Sequence, residues 1–115
     1  MAIAINFVLD QGTTFEATAT IENEDGSIFD LTGLTPYCQM RKSYYTTSAV
    51  DITAEVQGDP TNGEIKLSLL PSETDVIRAG RYVYDVEVRD VTGDYVKRVL
   101  QGVITVHPQV TRSPI

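Results

Sequence analysis

With 115 residues, 42% of them hydrophobic, the chain is long enough for one two-layer core and too apolar for a disordered tail. Nine Lys and Arg stand against 16 Asp and Glu, a net charge of −7 that argues against a surface built to grip a phosphate backbone. No apolar run approaches the roughly 20 residues a helix needs to cross a bilayer, and Cys38, the single cysteine, allows no internal disulfide.

Residues 2–9 are apolar, with no basic residue before Asp10, and read as a first, edge strand rather than a signal peptide. A turn at 10–13 leads to a strand over 14–22, where Phe15, Ala17, Ala19 and Ile21 alternate with Thr and Glu. Asn23-Glu24-Asp25-Gly26 is a turn. A short strand over 27–31 and another over 34–42 follow, the latter with less distinct faces. Residues 43–48, with Tyr44 and Tyr45, read as an exposed connection. Strands over 49–57 and 64–70 flank Asp59-Pro60-Thr61-Asn62-Gly63, where Asn-Gly is a hairpin signal because both residues tolerate positive φ.

Pro71 to Arg78 carries the one helical signal, a short helix near 72–78 with Ser72 as cap and Asp75 three residues on. The cleanest alternation follows. Tyr82, Tyr84, Val86 and Val88 point to one face and Arg81, Asp85, Glu87 and Arg89 to the other, which describes a strand lying over a core with its back to water. A last long strand spans 95–107, and Pro108 and Pro114 keep a tail over 108–115 extended. The pattern predicts an all-β protein, an antiparallel β-sandwich of about 7–9 strands forming one domain over 1–115.

Little in the residues suggests chemistry. His107 is the only histidine, and nothing places Ser72 or Cys38 beside it, so no catalytic residue is assigned. One Cys and one His fall short of a zinc site, and Ile21 and Thr32 occupy the positions where an EF-hand loop needs carboxylates. A looser calcium site at Glu22, Glu24 and Asp25 stays open as an alternative; no metal or cofactor is assigned. Asp85 and Glu87 share a strand face with Arg81 and Arg89, so charge pairing explains them without catalysis. Cys38 reads as a small core residue.

The order of several motifs resembles a known family. They are Gln11-Gly12-Thr13-Thr14-Phe15, Asp25-Gly26, Phe29-Asp30-Leu31-Thr32-Gly33, Met40-Arg41-Lys42, Leu70-Pro71-Ser72-Glu73-Thr74 and Leu100-Gln101-Gly102-Val103-Ile104. Together with the Asp59 to Gly63 turn and the Tyr82 strand they resemble immunoglobulin-like domains of phage tails and baseplates, in particular the N-terminal module of baseplate upper proteins, over nearly the whole chain. The resemblance places Tyr82 where such folds carry a tyrosine corner and Tyr84 where antibody domains carry their second cysteine, while the first cysteine and core tryptophan are absent.

What the resemblance implies is a non-catalytic virion structural protein of tail, baseplate or neck, made in the host cytoplasm. It would act through contacts with other virion proteins and with copies of itself in a symmetric assembly, without nucleic acid or membrane. Longer relatives continue into fibre or receptor-binding segments, so the end at Ile115 suggests an adaptor. The expected contact residues are Ala2, Ile3 and Ile5 on the first strand, Tyr44 and Tyr45, then His107, Val110, Arg112 and Ile115, with edges expected at 2–9 and 95–107. The alternatives are a carbohydrate-binding or adhesive module, using Tyr44 and Tyr45 on a host surface glycan, and a capsid decoration protein.

Overall fold

A computed structural model describes residues 2–111. Eight strands run in chain order: β1 (Ile3–Ala4), β2 (Phe7–Asp10), β3 (Phe15–Thr20), β4 (Thr35–Arg41), β5 (Val50–Val56), β6 (Glu64–Leu69), β7 (Gly80–Arg89) and β8 (Val96–His107). One helical turn, α1 (Pro71–Thr74), and a 3-10 turn at Pro60–Asn62 interrupt them. The protein is all-β, as its alternation predicts.

The sheet path is β1-β8-β7-β4-β5-β6-β3, with β2 also on β8. Strand β5 changes partners along its length: Val50 to Ile52 pair with β4, and Thr53 to Val56 pair with β6. This hand-over carries the sheet round a corner, so that β6 and β3 face β4, β7 and β8 across one core. At the far ends of the path Phe7 of β2 meets Phe15 of β3 edge-on, with ring centroids 6.0 Å apart. That contact closes the open side of the curl by aromatic packing where no ladder runs.

Alternation places the core. Met40, Ile65, Val86, Leu100 and Ile104 are fully buried, each burial contributing roughly 1.5–3 kcal/mol. Tyr82, Tyr84, Val86 and Val88 all face inward, as their period requires. The faces of β4 are sharper than its sequence suggests, with Pro36, Cys38 and Met40 in and Tyr37 and Gln39 out.

Several expectations need correction. Every strand pair is antiparallel except those of the first strands: β1 and β2 run parallel to β8, so the sheet is mixed. A hairpin joins only antiparallel neighbours, whereas here almost the whole chain intervenes between the first strand and the last. The strand over 2–9 is two, broken at Ile5 and Asn6. Strand β8 is not an edge, since it is flanked by β7 and by β1 and β2; the second edge is β3. The strand expected over 27–31 reduces to one bridge between Glu22 and Ile28, because Asp25 and Asp30 each fold the chain into a side-chain-closed turn.

The helix starts earlier than Ser72. Pro71, with its fixed φ and missing N–H, takes the first helical position, and Glu73 accepts the Leu70 amide at 2.8 Å. In the β5–β6 connection Gly58 and Gly63 take positive φ, at 64° and 67°, while Asn62 does not and ends the 3-10 turn.

Candidate interaction surfaces

Three surfaces follow from this arrangement: the outer face of the main sheet and the two ends of its strands. The outer face of β4, β7 and β8 forms a groove of about 840 Å³. Its charges close on one another. Arg98 pairs with Asp85 at 3.1 Å, Arg89 with Glu87 at 3.1 Å, and Gln39 donates to Asp51 at 2.7 Å. Arg89 also lies over the Tyr37 ring, 4.6 Å from its centroid. Partial burial raises the Asp85 carboxyl above its ordinary value, while Arg98 pulls it back. Charge pairing does account for Asp85 and Glu87, but the partner of Asp85 comes from β8, brought within reach by a register shift at Val86 and Glu87.

At one end lie α1, the β4–β5 connection, the start of β7 and the end of β8. The Tyr82 hydroxyl donates to the Arg78 carbonyl at 2.7 Å, forming the tyrosine corner that the resemblance implies. Gln11 braces this end from both sides: its amide donates to the Ile77 carbonyl at 2.8 Å, and its oxygen accepts the Gln109 amide at 3.0 Å. The Thr74 hydroxyl, fully buried, donates to the Thr13 carbonyl at 2.8 Å. A cavity of about 660 Å³ opens here among Met40, Val50, Val76 and Tyr82, with Arg41, Lys42 and Arg78 around it.

The opposite end carries acidic turns. Asp25 accepts from the hydroxyl and amide of Ser27, Asp30 from those of Thr32, and Asp59 from the amide and hydroxyl of Thr61. Asp90 accepts the Tyr95 amide. These bonds favour the ionised form and hold all four carboxyls below their ordinary value. Among the described residues no group of three or more His, Cys, Asp and Glu side chains is arranged to hold a metal. Of the three carboxylates of the looser calcium site, Glu22, Glu24 and Asp25, the last is engaged in its own turn.

The expected contact residues fall in different places. Ala2, Ile3 and Ile5 lie half-buried along the first edge, on β8. Tyr44 and Tyr45 are exposed in the β4–β5 connection, and Tyr44 lines the outer groove. His107 ends β8 with its Nδ1 4.0 Å from an Asp10 oxygen, and Val110 is exposed beyond it. Arg112 and Ile115 lie outside the described residues. Tyr44, Tyr45, His107 and Val110 therefore gather toward the α1 end, while Ile3 and Ile5 sit at mid-strand. Cys38 is buried, and burial pushes its thiol up to about 12, the inert state of a core residue.

Nothing in the sequence marks Lys42 and Arg78 as neighbours, or Asp30 and Asp59. Only the strand directions bring them together.

Residues 4–106 match the family described as the BppU N-terminal domain. The fold is similar to that of a solved structure, the N-terminal domain of phage TP901-1 ORF48, with a TM-score of 0.60 at 15% identity, covering 90% of this chain and 94% of that one. No curated protein matches the chain.

Proposed function

We propose a function from the premise that this chain belongs to the BppU N-terminal domain family, the baseplate upper protein module, and so has a structural role in the phage virion. It is a non-catalytic adaptor of the baseplate, or of the adjoining tail or neck, that binds other virion proteins and further copies of itself in a symmetric assembly. The observation that carries this reading is the distribution of exposed apolar side chains. Tyr44, Tyr45, Leu70, Val76 and Val110 lie toward one end and Ile28, Val91, Tyr95 and Val96 toward the other, while Val8 is exposed on the first edge and Tyr37 on a sheet face whose charges are paired. Apolar groups left at the ends of a fold are what an assembled module buries against its neighbours.

Mass spectrometry of purified particles tests it. The chain should be present at fixed stoichiometry and should co-sediment with co-expressed baseplate neighbours; its absence from particles would refute the role.

A second reading, glycan binding, is favoured by one observation: Tyr37 and Tyr44 both line the outer groove, beside Gln39 and Asp51. Binding on a glycan array that Tyr44→Ala abolishes would support it, and an array without signal would end it.

A further inference from the structure

We propose that the two ends of this fold are complementary between copies, the acidic turns of one chain seating in the cationic cavity of the next. The inference rests on the reading of the chain as an assembly module and names the surfaces it would use with itself.

The cationic end is unusual for so acidic a chain. Lys66, Arg89 and Arg98 each pair with a carboxylate. Arg41, Lys42, Arg78, Arg81 and Lys97 have no carboxylate within ion-pair distance among the described residues, and the first three of them meet at this cavity. The Arg41 guanidinium is fixed by the Thr46 and Thr47 carbonyls, both at 2.8 Å, and the Lys42 ammonium rides 4.8 Å from the centre of the Tyr82 ring. Among the described residues one acid lines this cavity, Glu73, and one of its oxygens accepts the Leu70 amide. Val76, 81% exposed, adds an apolar wall. The cavity is thus a preformed socket with positive charge at its rim and an apolar interior.

The acidic end supplies the matching shape. Asp25, Asp30 and Asp59 each spend one oxygen on a turn, which fixes the side chain and leaves the second oxygen facing solvent. The Leu31 amide donates to the Pro60 carbonyl at 3.0 Å, which sets the Asp30 turn beside the Asp59 turn, and the two carboxylates repel each other. A cation placed between them would relieve that repulsion; Lys97, at this end, is held over the Phe29 ring, 4.8 Å from its centroid, and forms no ion pair with either among the described residues. Ile28 is an exposed apolar group beside these turns.

Strand geometry keeps the two ends apart within one chain. Strand β4 starts at Thr35 near the acidic turns and finishes at Arg41 beside the cavity, and β7 runs antiparallel to it with Thr35 opposite Arg89. The chain therefore cannot satisfy its own cavity, whereas a second copy can. Such a contact uses two different patches, so it is heterologous and grows into a ring or a filament. The net charge of −7 opposes association at long range. Screening over about 8 Å at physiological salt suppresses that repulsion while leaving direct ion pairs in place.

Sedimentation velocity on the full chain at about 0.15 M salt tests this. The expected result is concentration-dependent species larger than dimers, which fall to monomer near 1 M salt, where the screening length is about 3 Å. Lys42→Glu with Arg78→Glu reverses two of the three charges of the cationic end. Asp30→Asn with Asp59→Asn removes the acidic charge but keeps an acceptor for each turn, so the fold is preserved. Each double variant should weaken self-association about tenfold or more. Mixed together they should form a 1:1 dimer that grows no further, because each retains the end the other lacks.

A wild-type chain that stays monomeric up to about 1 mM would overturn the inference. So would oligomers indifferent to both double variants, or variants that fail to pair when mixed. Capture of a different virion protein through Lys42 and Arg78, without self-association, would reassign the cavity and equally overturn it. A monomer that is nonetheless found in particles would refute this contact and leave the structural role standing.

Discussion

The Tyr84 hydroxyl donates to the carbonyl of Ile5 at 2.7 Å, tying the centre of β7 to the N-terminal edge strand across β8. Gly102 lies between them in the ladder, opposite Tyr84, and a Cβ built on it would come within 2.1 Å of the Ile5 oxygen. In an uninterrupted parallel ladder that carbonyl would accept the Val103 amide. Here the Val103 amide donates to the Asn6 side chain at 3.0 Å, while Ile5 still donates to Gln101 at 3.0 Å. The break between β1 and β2 is therefore an exchange of partners in which Tyr84 takes over the Ile5 carbonyl and Asn6 replaces it on the strand.

Tyr84→Phe keeps the ring, which packs 5.6 Å from Phe7, and removes only the donor. The Ile5 carbonyl then loses its partner in a part-buried setting. The expected cost is about 1–3 kcal/mol, read by chemical denaturation, with amide exchange accelerating first at residues 3–8. An unchanged midpoint would show that water replaces the hydroxyl.

Gly102→Ala acts on the same junction by collision. No rotamer can relieve it, because the obstructing atom is backbone, so β1 must leave β8. The edge strand should become sensitive to limited proteolysis while the β4–β7 core stays protected. Resistance equal to wild type would mean that the strands separate at that point without cost.

Tyr82→Phe removes the tyrosine-corner bond to Arg78 and loosens the crossing from α1 to β7. We expect a loss of about 1 kcal/mol, a Tm drop of roughly 4–8 °C, with the secondary structure unchanged. A drop well outside that range would mean that the hydroxyl serves more than this one bond.

The turn carboxylates set the acid limb of stability. Asp25, Asp30, Asp59 and Asp90 have folded pKa values below the ordinary 3.8, so their contribution is complete above that value and is lost as pH falls through the folded values. Asp85 has the opposite sign: its raised pKa means that its contribution is present at low pH and lost as pH rises. Denaturation midpoints measured from neutral pH downward should flatten in Asp59→Asn, which keeps the turn acceptor without its titration, and steepen in Asp85→Asn. Parallel curves for the three proteins would refute the assignment.

Cys38 offers a check on the core. With the thiol buried and pushed up to about 12, it should resist a thiol reagent in the native state and react fully in denaturant. Rapid native labelling would mean that β4 opens readily.

Local pattern determined much of this protein. The alternation from Tyr82 to Val88 and from Ile65 to Leu69 names the core faces, because a pleated strand exposes and buries side chains in turn whatever lies above it. The tyrosine corner comes from the family resemblance, although its two partners, Tyr82 and Arg78, are close in the chain. What the tertiary structure alone decided are relations between distant segments. The parallel seat of β1 and β2 on β8, the break that Gly102 and Tyr84 impose at Ile5, and the gathering of Lys42 with Arg78 and of Asp30 with Asp59 leave no local signal. Each depends on which strands become neighbours and in what register, and that follows from burying the whole apolar set at once, a condition no single stretch of the chain contains.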